Sequence, residues 1–287
     1  MAGATGINTS TGGAGTTTIT TAAGAGGNVT GNTGAGIAAT STGSGLITIN
    51  NFATTTGATS GVQALNTGTG SIVLVNNGTI IGSGLGTTPA VSSGTTGAGS
   101  TTTITNNGLI RSVANSTGDL AISSPVTTGA FTIQNAGTLT GRVNLTDGAD
   151  TLTSTGLWNV TGVNDFLGGG DALTNGGTLN AGSASVPAAT TTFANLENVT
   201  NNLGAVFNAG LNLGNTTTFN SPTTLAITNS GTMNVLGTLA LVAPGGVTYT
   251  NNGTLSTSGG FSNTGTLINN AGGTINGGVS NSNTFNN

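Results

Sequence analysis

The 287 residues include two Lys or Arg, six Asp or Glu and no His, for a formal net charge of −4. Only 3% are charged, against roughly 25% in an ordinary soluble domain. With Arg111 and Arg142 as the only cations there is no basic patch to neutralise phosphates and no polybasic segment for a membrane surface, and without His or Cys there is neither a triad base nor a thiolate zinc site.

The opening "MAGATGINTSTGG" lacks the basic and apolar parts of a signal peptide, so the expectation is a mature or excised piece, or export by another route. No apolar run approaches the roughly 18 residues of a membrane helix. Residues 1–44 are rich in Gly, Ala and Thr and only weakly repetitive; they read as first coils or as a docking segment. A Gly, Ser, Thr and Asn composition is also that of disordered tracts. Against disorder, Leu, Ile, Val and Phe still make up about a fifth of the chain and recur at regular positions.

From residue 45 to 287 the chain repeats itself. Aligned on Gly78, Gly108, Gly137, Gly156, Gly177, Gly204, Gly231, Gly253 and Gly265, the residues two further on are Ile80, Ile110, Leu139, Trp158, Leu179, Val206, Met233, Leu255 and Leu267, all apolar. Two residues before each Gly stand Asn76, Asn106, Asn135, Ser154, Asn175, Asn202, Asn229, Asn251 and Asn263, with Ser154 the one departure. Four before stand Leu74, Ile104, Ile133, Leu152, Leu173, Thr200, Ile227, Tyr249 and Phe261, where Thr200 fails. Segments such as "SIVLVNNGTII" alternate with the period of two that marks a strand, and N-x-G suggests a sharp bend with a positive-φ residue. A spacing of mostly 19 to 30 residues suits one coil of a β-solenoid.

The predicted fold is therefore all-β: a parallel β-helix of about ten coils at ~4.8 Å per coil. Each alignment column becomes a ladder, apolar inside, with the Asn column stacking as side-chain amides at a bend. Identical residues recur because identical positions touch. Charge is scarce because a charged column would set like charges one above another, at about 1 kcal/mol per pair even in water.

Four of the six acids fall in "TDGADTLTSTGLWNVTGVNDFLGGGDALTNGG". Asp150 and Asp171 share a column, six residues before Gly156 and Gly177, so a Ca²⁺ ion between them is one reading. The other is that each carboxylate accepts backbone N–H groups at the start of a strand. No other cofactor is expected. Sugar chemistry on a parallel β-helix needs paired carboxylates or a base beside a bound cation, and the whole inventory is Asp119, Asp147, Asp150, Asp165, Asp171 and Glu197 with no Lys, His or Cys, so the chain reads as non-enzymatic. Trp158 stands in an apolar column and reads as core; Arg111 and Arg142 read as solvated surface residues.

An ice-binding face would need two Thr columns two residues apart. Thr79, Thr138, Thr178, Thr232, Thr254 and Thr266 form one, but its outward partner reads Ile81, Arg111, Thr140, Asn159, Asn180, Phe207, Asn234, Ser256 and Ile268, which is no such array.

The units "TNNGTLSTSGGFSNTGTLINNAGGTINGG", "ITNSGTMNVLGTL" and "GGGDALTNGGTLNAG" resemble the passenger repeats of bacterial autotransporter adhesins and related haemagglutinin-type exoproteins. That resemblance implies a right-handed parallel β-helix on a Gram-negative cell surface, acting in adhesion, aggregation or biofilm structure, with a host or neighbouring cell as partner. No membrane-embedded barrel follows "SNSNTFNN", where the resemblance would have one. The closing "GGTINGGVSNSNTFNN" shows no helical cap and no blocking charge, which raises a self-assembling fibre docking head to tail as the alternative.

Overall fold

The computed structural model describes residues 2–83, 88–126 and 128–287. The chain forms two compact units, divided between Asp150 and Thr151 rather than between residues 44 and 45. Each unit is a parallel β-helix in which the chain passes through three sheets in turn and then repeats the circuit.

In the first unit one circuit reads Thr79–Gly82 in the first sheet, Val91–Thr95 in the second and Thr101–Asn106 in the third. Every strand pairs in parallel with its counterpart one circuit on: Ile72–Asn76 lies against Thr101–Asn106, with Leu74 opposite Ile104 and Asn76 opposite Asn106. Residues 2–44, weak in sequence periodicity, already belong to the helix. Ile7–Thr11 pairs with Ile37–Ser41, and Thr17–Thr20 with Ile47–Asn51. Met1 lies outside the described residues.

In the second unit one circuit reads Thr232–Val235, Thr238–Val242 and Val247–Asn251. That circuit takes 22 residues from ladder position Asn229 to Asn251, and the next only 18 from Asn251 to Asn269. Circuits vary because loops grow or shrink at the corners while strands stay at four or five residues in most coils.

Why these segments are strands follows from their side chains. Thr, Val and Ile are stiff at χ1 and suit the pleat, and alternate residues point to opposite faces. The inward residues form a thin core: Ile47, Ile49, Ile72, Leu74, Ile80, Ile104 and Phe131 in the first unit, and Trp158, Phe193, Phe207, Phe219, Met233 and Tyr249 in the second, each at most 1% exposed. The second core is aromatic, with Phe193 stacked on Phe219 at 4.8 Å and Trp158 edge-on to Phe193 at 5.7 Å. Burial lifts the Tyr249 hydroxyl above the usual phenol range, and it donates to Met233 Sδ at 3.4 Å.

Parallel sheets are ordinarily covered on both faces. Here most outward positions stay half-exposed and polar. One exception is Val91–Thr95, buried along its whole length because Ser124, Pro125 and Val126 lie over it where Gly94 has no side chain to obstruct them.

Candidate functional site

The asparagine column is a physical ladder, although not along the residues first aligned. In the first unit Asn51 donates through Nδ2 to Asn76 Oδ1 (2.8 Å), Asn76 to Asn106 (2.7 Å) and Asn106 to Asn135 (2.7 Å). In the second, Asn175 donates to Asn201 (2.8 Å), Asn201 to Asn229 (2.8 Å), Asn229 to Asn251 (2.9 Å), Asn251 to Asn269 (2.8 Å) and Asn269 to Asn287 (2.7 Å). The same Nδ2 atoms also reach a backbone carbonyl of the next circuit, as Asn106 does to Thr138 (3.0 Å) and Asn229 to Thr254 (3.0 Å). Each amide thus spends its donors on one neighbour's side chain and one neighbour's backbone, which is how a buried polar group is satisfied at a bend.

Two predicted members are displaced. Asn202 is exposed, and the ladder runs through Asn201. The corner "NLGA" after Asn201 is two residues longer than the usual corner, so an alignment centred on Gly204 misses each flank by one position: Val199 rather than Thr200 points inward, and Phe207 rather than Val206. Because the side-chain period is two, a shift of one exchanges the two faces; the failure of Thr200 in the apolar column was its trace. Asn263 lies in the second sheet, opposite Leu241, and donates to Asn281 at 2.9 Å in a separate stack. Gly253 and Gly265 therefore stand at two different bends of one circuit, with the Ser258–Gly259 bend between them, and are not equivalent points of two. Asn51 was missed because Ala53 stands where the others have Gly.

The repeated glycines do not supply positive φ. Gly78, Gly108, Gly137, Gly177 and Gly253 are absent from the left-handed region, which Gly204 alone of the aligned set enters, at φ 81° in the lengthened corner. They are needed because circuits stack closely there. A Cβ on Gly108 would stand 1.9 Å from the carbonyl oxygen of Gly78, and one on Gly253 2.2 Å from that of Gly231.

Asp150 is fully buried and surrounded by donors: its carboxylate accepts from the backbone N–H of Phe131 (2.6 Å) and Thr146 (2.8 Å) and from Thr146 Oγ1 (2.9 Å). Burial pushes its pKa up to about 6, against the lowering effect of these hydrogen bonds. A shell of N–H and O–H donors suits an anion rather than a cation's ligand. Asp171 is also buried, and its backbone N–H donates to Glu197 Oε2 (2.9 Å), whose Oε1 accepts from Ser221 Oγ (3.0 Å). Among the described residues no three of His, Cys, Asp and Glu come together as a metal-binding group.

Trp158 is completely buried in the core. The arginines do more than face solvent. Arg111 Nη1 donates to the carbonyls of Ser112 (2.7 Å) and Val113 (3.2 Å), and Arg142 Nε to that of Gly118 (3.2 Å), so both brace the excursion 113–119.

What faces outward is a set of uncharged columns. On the first sheet of the second unit, Asn180 donates to Asn159 (2.8 Å), Asn208 to Asn180 (2.7 Å) and Asn234 to Asn208 (2.9 Å), forming a half-exposed amide ladder. A shallow groove of about 360 Å³ beside it is lined by Asn208, Asn234, Leu211, Leu236 and Ser256. On the third sheet the outward column is Thr153, Thr174, Thr200, Thr228 and Thr250. No described helix is long and apolar enough to cross a membrane. No family model, no curated protein and no solved structure matches the chain.

Proposed function

We propose that this chain is a non-enzymatic, extracellular β-solenoid acting in surface adhesion, aggregation or biofilm structure. The observation that carries the reading is the pairing of a hydrogen-bonded interior scaffold with ordered, uncharged outward columns, chief among them the Asn159–Asn180–Asn208–Asn234 ladder. The amides are held by one another, so they meet a partner already ordered and lose little conformational freedom on contact. An uncharged surface also makes contact with little dependence on salt. Asp150 and Glu197, occupied with backbone and hydroxyl donors, serve the corners of the fold.

The test is display of the chain on a non-adherent bacterium, with settling and retention on abiotic and cell-coated surfaces scored against a strain displaying an unrelated solenoid. Enhanced settling or retention that persists in high salt is the expected result. Equal behaviour of the two strains would overturn it. Negative-stain microscopy of the purified chain across a concentration series addresses the alternative: long filaments of uniform width would make self-assembly its primary role, whereas separate particles at every concentration would remove that alternative.

A further inference from the structure

Asparagine followed by glycine is the dipeptide that loses ammonia most readily, because glycine puts no side chain between its backbone nitrogen and the preceding amide carbon. The chain has five such pairs: Asn77–Gly78, Asn107–Gly108, Asn175–Gly176, Asn252–Gly253 and Asn276–Gly277. Sequence alone ranks them equally. The stacking of circuits does not.

In four of the five the attacking nitrogen is held by the preceding circuit. Gly78 N–H donates to the carbonyl of Asn51 (3.1 Å), Gly108 N–H to that of Asn76 (3.1 Å), Gly176 N–H to that of Ser154 (2.7 Å) and Gly253 N–H to that of Asn229 (3.0 Å). Their side-chain amides are engaged as well. Asn107 Nδ2 donates to Asn77 Oδ1 (2.9 Å), Asn270 Nδ2 to Asn252 Oδ1 (2.7 Å), and Asn175 belongs to the buried ladder. To react, each of these corners must first leave the stack.

Asn276–Gly277 is held differently. The strand Thr274–Gly277 pairs with Thr254–Thr257 on one edge and is the last strand of its sheet. Thr274 N–H points back to the carbonyl of Gly253 (2.8 Å), and strand N–H groups alternate between edges, so Gly277 N–H lies on the unpaired edge. Both residues are exposed, Gly277 takes a left-handed φ of 108°, and among the described residues no hydrogen bond reaches the Asn276 side-chain amide. The group that restrains this peptide is Thr257 Oγ1, which donates to the carbonyls of Asn276 (3.4 Å) and Gly278 (2.8 Å) and leaves the reacting atoms untouched.

We propose that Asn276 is a site of spontaneous self-modification, from which stacking protects the four corner pairs. Gly277 N bonds to Asn276 Cγ, the Cγ–Nδ2 bond breaks, and the amide leaves as ammonia with the proton of Gly277. The ring so formed takes up water and opens to aspartate or isoaspartate, with water the only co-reactant. The new carboxylate stands on an unpaired strand edge, where charge discourages pairing with another chain. Holding the attacking N–H in one hydrogen bond slows the reaction by up to about tenfold, and the tethered side chains of the corner pairs add to that. The inference is independent of the adhesive role.

The experiment incubates the full chain at mildly alkaline pH, folded and in parallel in guanidinium chloride. Peptide mapping by mass spectrometry follows the mass gain at each asparagine as NH2 is exchanged for OH. Denaturant should bring all five pairs to similar rates. In the folded chain Asn276 is expected to convert about tenfold faster than the other four, and one acidic species should grow in native isoelectric focusing that Asn276→Gln does not form. Conversion of Asn77, Asn107, Asn175 or Asn252 in the folded chain at the rate of Asn276, or an Asn276 that stays intact, would overturn the assignment.

Discussion

At the scale of single residues the fold depends on amides that cannot be replaced by anything smaller. Removing the Asn229 side chain deprives Asn201 Nδ2 of an acceptor and leaves Asn251 Oδ1 and the Thr254 carbonyl without a donor. Leaving buried partners unsatisfied costs roughly 1–3 kcal/mol. Asn229→Ala should lower the urea midpoint by a corresponding amount. Asn77→Ala, which removes an acceptor from an exposed pair with Asn107, should leave it nearly unchanged. Asp150 gives a pH signature. Its pKa is about 6 in the folded chain and 3.8 as the ordinary value, so the folded state binds the extra proton between those values. Its contribution is therefore fully present below pH ~4 and is lost as pH rises through about 6, on the order of 1–2 kcal/mol once solvent screening is allowed for. Thermal melts from pH 4 to 7 should show the parent losing more stability with rising pH than Asp150→Asn; identical slopes would dissociate the carboxyl from the effect.

At the scale of strands and corners, register is the controlling quantity. The corner Asn202–Ala205 carries two residues more than the Asn77–Gly78 corner, and an even insertion keeps the inward face inward on both flanks. Deleting Leu203 and Gly204 together, with Ala205→Gly to admit the neighbouring circuit, should leave a cooperatively folding chain whose melting temperature lies within a few degrees of the parent. Deleting Leu203 alone should force either Val199 or Phe207 out of the core and lose the cooperative transition. The alternation of apolar and polar residues and the Asn column made the strands legible. The corner was not legible, because a loop can lengthen by two without disturbing the pattern of either neighbour, and a fixed N-x-G template then selects Asn202 over Asn201. The glycines were assigned to the right places for the wrong reason: their cause is a carbonyl of the preceding circuit, and sequence spacing does not register a contact 30 residues away.

At the scale of the whole chain, stability is a sum of contacts between neighbouring circuits. Arg111 and Arg142, the only tryptic positions, both sit within paired strands, Leu109–Ser112 and Arg142–Asn144. Strand backbone must be released before a protease can bind it. Native chain should therefore resist trypsin, whereas chain held in urea at a concentration the enzyme tolerates should yield three fragments ending at Arg111, Arg142 and Asn287. Rapid native cleavage at Arg111 would show that the excursion 113–119 opens locally, and would locate the weakest part of the first unit.

By itself the sequence determined the class of structure: strand-forming residues alternating at period two, recurring at coil length and almost without charge, admit a parallel solenoid and little else. It also determined that amides stack, because a polar column repeated at one bend has no other way to be satisfied. Which asparagines stack, which glycines are sterically required and which threonines share one face were decided only by the tertiary structure. The physical reason is common to all three. Each depends on the alignment of one circuit over the next, set by corner lengths that side-chain periodicity does not encode, and a single position of slip exchanges core for surface.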